Sequence, residues 1–126
     1  MAARILLVDD ETDLIEVLAD ALAARLPGFV IQRASSVADA EAAVASLDAS
    51  GTELALVVSD HRLGDGDGLK FIASLRARHP GLPAILYTGQ AGPEVVAAAS
   101  AAGVRLLWKP IRLATWIAEV RAALEA

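Results

Sequence analysis

The sequence predicts an α/β domain in which helices cover both faces of a parallel sheet. Three observations predict it. Short apolar runs without polar alternation recur along the chain, as in strands buried on both faces. Between them lie segments whose apolar residues recur at helical spacing. The two kinds of segment alternate five times from one end to the other, a pattern that calls for right-handed crossovers into one parallel sheet.

Arg4-Ile5-Leu6-Leu7-Val8 is the first strand. Leu14, Ile15, Leu18, Ala21 and Leu22 then mark one helix face to about Arg25, and Pro27-Gly28 stops that helix. Phe29 to Ala34 is the second strand. Ser36-Val37-Ala38-Asp39 is a variant of a capping box that opens an alanine-rich helix running to about Ala49. The central strand, Leu54 to Ser59, ends in Asp60 and a loop holding three glycines. Leu69, Phe71, Ile72 and Leu75 define the third helix, which Pro80-Gly81 ends, with the cationic side of His79 suited to its last turn. Pro83 to Tyr87 is the fourth strand, Pro93 sits in the first turn of the fourth helix, and Gly103 ends it near Ala102. Val104 to Trp108 is the fifth strand, and Leu113, Trp116, Ile117, Val120 and Leu124 share a face of the last helix. Trp116 is read as packing, His61 as exposed, and Asp65-Gly66-Asp67-Gly68 as a flexible acidic turn.

A chain of 126 residues with these elements reads as one domain, residues 1–126. Its net charge of -5 and scattered Lys and Arg argue against a nucleic-acid surface. The apolar runs are far shorter than the ~20 residues that span a bilayer, so no membrane segment is expected and the protein is read as cytoplasmic. With no cysteine, disulfides, thiolate metal ligands and thiol nucleophiles are excluded.

In such a sheet the strand-to-helix loops gather at one edge, where open α/β sheets place their chemistry. That edge collects Asp9, Asp10, Asp60, Thr88 and Lys109, each at the end of an apolar run. Acidic residues that open a helix satisfy its dipole, which accounts for Asp10 or Glu11 but less well for Asp9. Close carboxylates repel by roughly 3 kcal/mol per pair at ~5 Å and an effective dielectric near 20. A cation relieves this, and oxygen-only ligands select Mg²⁺. The Lys109 ammonium and the Thr88 hydroxyl opposite the metal then suit the oxygens of a phosphoryl group, with one carboxylate as nucleophile.

Asp9-Asp10, then Asp60 with Asp67-Gly68 beyond it, then Thr88-Gly89, then Lys109-Pro110, resemble the receiver domain of two-component response regulators. The resemblance runs from Ile5 to Leu124. It implies a flavodoxin-like (βα)5 three-layer sandwich with a parallel five-stranded sheet of order 2-1-3-4-5. It also implies that Asp60 accepts a phosphoryl group from a phosphohistidine on a histidine kinase or histidine phosphotransfer domain. Mg²⁺ would be held by Asp9, Asp10, Asp60 and the backbone carbonyl of Arg62. Lys109 would pair with the phosphoryl oxygens, the Lys109-Pro110 peptide would be cis, and Thr88 would move to meet the phosphoryl group. Such a domain has no turnover substrate. Its output is expected by protein contact, or as a homodimer, through the last two helices and strand five. Leu106-Leu107-Trp108-Lys109-Pro110-Ile111 resembles the receiver of a hybrid histidine kinase.

Three positions depart from the family. Gly64 stands where a proline is common, Leu106 where an aromatic is favoured, and Arg62 at a position that tunes phosphoryl lifetime in related domains. The rival readings are weaker. An EF-hand register through Asp65 and Asp67 puts Leu63 and Ser74 at ligand positions. A haloacid-dehalogenase-type phosphatase wants a second Asp where Arg62 stands. Neither a flavin phosphate loop nor a P-loop is present. A receiver-fold binding module without phosphorylation is the remaining alternative.

Overall fold

A computed structural model describes residues 2–125. In chain order the elements are β1 (Ala3–Val8), α1 (Thr12–Arg25), β2 (Phe29–Ala34), α2 (Val37–Ser50) and β3 (Leu54–Asp60). There follow β4 (Arg62–Leu63), β5 (Gly66–Asp67), α3 (Gly68–Arg78), β6 (Ala84–Thr88), α4 (Pro93–Ala101), β7 (Arg105–Trp108) and α5 (Leu113–Glu125). The main sheet has the order β2-β1-β3-β6-β7, and every neighbouring pair is parallel. This is the expected 2-1-3-4-5 order. The numbers differ only because two short strands lie between the third and fourth strands of the sheet.

The missing alternation in the strands has its cause in burial on both faces. Leu6 and Val8 pack with Val57 and Leu86 under α2, α3 and α4, against Val44, Phe71, Ile72 and Ala99. Ile5 and Leu7 pack with Val58, Ile85 and Tyr87 on the other face, under α1 and α5, against Leu18, Leu22, Trp116 and Val120. Each such fully buried aliphatic side chain contributes about 2 kcal/mol. Trp116 is packing, as its helix face implied, and its Nε1 donates to the Leu18 carbonyl at 3.2 Å.

Most element ends follow local chemistry. Ser36 Oγ caps α2 by accepting from Asp39 N at 3.0 Å, while the Asp39 carboxylate turns to Ser35 Oγ instead of closing the box. Gly51 and Gly103, both with φ +69, take the left-handed conformation after α2 and α4. His79 closes α3 and pairs with Asp48 at 3.1 Å. Among the described residues no helix is long and apolar enough to cross a membrane.

Two expectations are corrected in the segment after Asp60. Residues 65–68 are not a flexible turn: β4 and β5 pair as an antiparallel hairpin, and both acids are used as helix caps. Asp67 accepts from Leu69 N and Lys70 N at the start of α3. Asp65 reaches across to α2, accepting from Val37 N at 2.8 Å and Ala38 N at 3.0 Å. His61 is not exposed either. It is buried beneath the hairpin, its N–H donating to the Tyr87 carbonyl and its own carbonyl accepting from Gly68 N.

The Asp65 cap makes stability pH-dependent. The Val37 N–H, and then the Ala38 N–H, hold its carboxyl below the ordinary 3.8. A carboxylate depressed on folding adds stability that is present above its unfolded value and lost as pH falls through the folded one. Urea unfolding is therefore expected to find Asp65→Ala less stable than wild type at neutral pH, with the gap closing below pH 3.8. A gap of the same size in acid would refute the capping charge as its cause.

Candidate functional site

The carboxyl edge of the sheet gathers the expected residues because parallel strands deliver every strand end to the same side. Asp9 follows β1, Asp60 closes β3, Thr88 closes β6 and Lys109 follows β7. Asp9 and Asp60 are buried. Lys109 Nζ stands among the acids, 3.0 Å from Glu11 Oε1, 3.2 Å from Asp60 Oδ2 and 3.8 Å from Asp9 Oδ2. Burial works against its charge. The bond to Glu11 and the charges of Asp9 and Asp60 outweigh that, so its pKa rises above the ordinary 10.5. The ammonium thus stays protonated and partly neutralises the cluster.

Asp9 is the most constrained of the acids. Its Oδ1 accepts from Glu11 N at 2.9 Å and its Oδ2 from the Tyr87 hydroxyl at 2.7 Å. Burial, above all, pushes its carboxyl upward, and the nearby Asp60 charge adds to this. The two hydrogen bonds and Lys109 pull the other way without cancelling the rise. A buried carboxylate in that condition favours any arriving cation.

One oxygen from each of Asp9, Glu11 and Asp60 lies within 4.8 Å of the others. Three hard oxygen donors at that separation fit a divalent cation such as Mg²⁺. The composition of the trio departs from expectation. Glu11 belongs to it, whereas Asp10 is exposed and lies outside it, beside Gly64 on the hairpin. Arg62 lies on β4 with an exposed side chain. The Thr88 hydroxyl is turned into its own loop, donating to the Gln90 carbonyl at 2.7 Å and accepting from Gln90 N at 3.1 Å. The Lys109-Pro110 peptide is cis. Leu106, where an aromatic was the norm, is half-buried against the α2–α4 side of the core.

Tyr87 and Glu11 were not singled out by the sequence. Tyr87 carried a readable signal: a phenol in a strand otherwise built of Ala84, Ile85 and Leu86 must find an acceptor when buried. Glu11 carried none, because three consecutive acids leave open which one turns inward.

A protein-family model for the response regulator receiver domain matches residues 5–121. The photosynthetic apparatus regulatory protein RegA of Cereibacter sphaeroides is 36% identical over 107 residues, covering 84% of this chain and 54% of that protein. The transcriptional regulatory protein GlrR of Escherichia coli is 32% identical over 111 residues, covering 86% of this chain and 23% of that protein. The chain therefore spans about half of the first relative's length and less of the second's. Among solved structures, the non-phosphorylated HemR receiver domain from Leptospira biflexa superposes with a TM-score of 0.85 at 26% identity, covering 98% of this chain and 95% of that one. A receiver domain protein from Methanospirillum hungatei shares the fold, with a TM-score of 0.84 at 22% identity over 99% of this chain and 95% of that one. With a matching family model, a parallel sheet of the same order and acids gathered beside a lysine at its carboxyl edge, the chain belongs to the receiver domains of two-component response regulators, which are phosphoacceptor signalling domains.

Proposed function

We propose that Asp60 is the phosphoacceptor and that phosphotransfer depends on Mg²⁺. The observation that carries this reading is the placement of the buried Asp60 carboxylate, 3.2 Å from the Lys109 ammonium and within 4.8 Å of Asp9 and Glu11 oxygens. Bound there, Mg²⁺ would offset the repulsion between an anionic nucleophile and an anionic phosphoryl group. Asp9, Asp10, Asp60 and the backbone carbonyl of Arg62 would hold it, with Glu11 in the cluster supplying further charge. An Asp60 oxygen attacks phosphorus, the P–N bond to the donor histidine breaks, and its electron pair stays on the imidazole, which takes up a proton. Lys109 holds a phosphoryl oxygen, and Thr88 leaves Gln90 to meet another. The acyl phosphate so formed is later hydrolysed at the same site, so self-phosphorylation and autodephosphorylation are the only chemistry.

The donor is a histidine kinase or histidine phosphotransfer domain, and the site belongs to the cytoplasm where such donors act. Output passes by contact through α4, β7 and α5, either to a partner protein or to a second copy. Val96, Trp108 and Leu113 leave large apolar side chains exposed on these elements and their junctions, Trp108 at 50%. Residues 1–126 act as one receiver unit.

Intact-protein mass after incubation with acetyl phosphate tests the reading. A single phosphoryl adduct is expected with Mg²⁺ and none with a chelator. No adduct under either condition would favour the alternative, a receiver fold that serves as a binding surface without phosphorylation.

A further inference from the structure

We propose that Tyr87 is a positioning residue for the cation site, its hydroxyl orienting the Asp9 carboxylate and its ring seating the Lys109 ammonium. This rests on the Mg²⁺ reading above and assigns a role within it to a residue outside the acid–threonine–lysine set. Tyr87 is fully buried at the penultimate position of β6, in register with Asp60 on β3. Among the described residues its hydroxyl makes one hydrogen bond, to Asp9 Oδ2 at 2.7 Å. Asp9 Oδ1 is tied to Glu11 N, so the two bonds together fix the rotation of the carboxylate plane.

The ring does separate work. Lys109 Nζ lies 5.1 Å from its centroid, within range for a cation held over an aromatic face. The ring itself is held edge-on by Trp116, with centroids 6.2 Å apart at 74°. Trp116 is pinned in turn to the Leu18 carbonyl on α1. Donors that orient metal-binding carboxylates from outside the coordination sphere set affinity through geometry, since a ligand free to rotate must be ordered when the ion arrives.

The rival explanation is that Tyr87 only fills the core, and phenylalanine would fill it equally well. The test is a MgCl2 titration by isothermal titration calorimetry on wild type, Tyr87→Phe and Tyr87→Leu, with circular dichroism establishing that each is folded. For Tyr87→Phe, Mg²⁺ affinity is expected to fall by about tenfold. The Mg²⁺ concentration that half-saturates phosphorylation from acetyl phosphate should rise in step, while the rate at saturating Mg²⁺ stays at the wild-type level. Tyr87→Leu, which also removes the seat beneath Lys109, should lose rate at saturating Mg²⁺ as well. Wild-type affinity in folded Tyr87→Phe would overturn the hydroxyl's role, and identical behaviour of the two variants would overturn the ring's. Should wild type itself bind no Mg²⁺, the cation reading falls and this inference with it.

Discussion

Asp60→Asn protein is expected to keep its unmodified mass in acetyl phosphate and Mg²⁺, under conditions where wild type gains one phosphoryl group. Asparagine preserves the shape of the side chain and can still accept from Lys109. Its amide oxygen, however, is not an anionic nucleophile and forms no stable acyl phosphate. Loss of the adduct should be complete rather than partial, because Asp9 and Glu11 are held in the loop after β1 and do not stand where Asp60 ends β3. The same variant separates chemistry from stability. At an effective dielectric of about 20, Asp60 gains roughly 5 kcal/mol from Lys109 at 3.2 Å and loses roughly 7 kcal/mol to two carboxylates within 4.8 Å. Glu11 is exposed and its share is screened, so the two terms nearly cancel. The desolvation of a buried carboxylate then decides the sign. Asp60→Asn should be at least as stable as wild type in a chelator, with a smaller gain on adding Mg²⁺, both read by urea unfolding. A persistent adduct would move the phosphoacceptor to another residue.

Gly68→Ala should be the most disruptive single methyl in the protein. Gly68 is buried at the first turn of α3, where its N–H donates to the His61 carbonyl at 2.8 Å. A Cβ there would lie 1.9 Å from the Asp60 backbone oxygen and 2.6 Å from Ser59 Oγ. The nearest obstacle is backbone at the end of the central strand, so relief requires α3 to move away from β3 or Asp60 to shift. A loss of roughly 3 kcal/mol or more follows, at the upper end for overpacking, or roughly 10 °C in melting temperature for a domain of this size. Phosphorylation should fall too, since the displaced carbonyl belongs to the acceptor. Gly81→Ala is the control. Gly81 has φ +81 but open space around its missing Cβ, so alanine there should cost only the left-handed backbone term of about 1 kcal/mol. Equal thermal losses for the two variants would show that the α3 junction yields.

How far the sequence could be read depended on how local the cause was. Ser36, Pro93 and Gly103 announced helix ends because their reasons lie within a few residues. The hairpin after Asp60 did not announce itself. Asp65 is explained by Val37, 28 residues away, which only the packing of α2 beside the hairpin brings within reach. His61 was misread for the same reason, since a histidine in an acidic loop looks solvated until the hairpin is seen to close over it.

The site divides along the same line. Strand-end positions place Asp9, Asp60, Thr88 and Lys109 at one edge, because a parallel sheet admits no other arrangement of those loops. Alternation along doubly buried strands likewise settles which core face each aliphatic serves. Side-chain direction at the edge is another matter. Glu11 rather than Asp10 joins the cluster, Thr88 turns to Gln90, and the Tyr87 hydroxyl finds Asp9 78 residues away. Sequence periodicity specifies which strand and which end a residue occupies. The orientation of a carboxylate, and the partner that holds it, depend on charges and donors from β1, β3, β6 and β7 meeting in one place, which only the folded chain brings about.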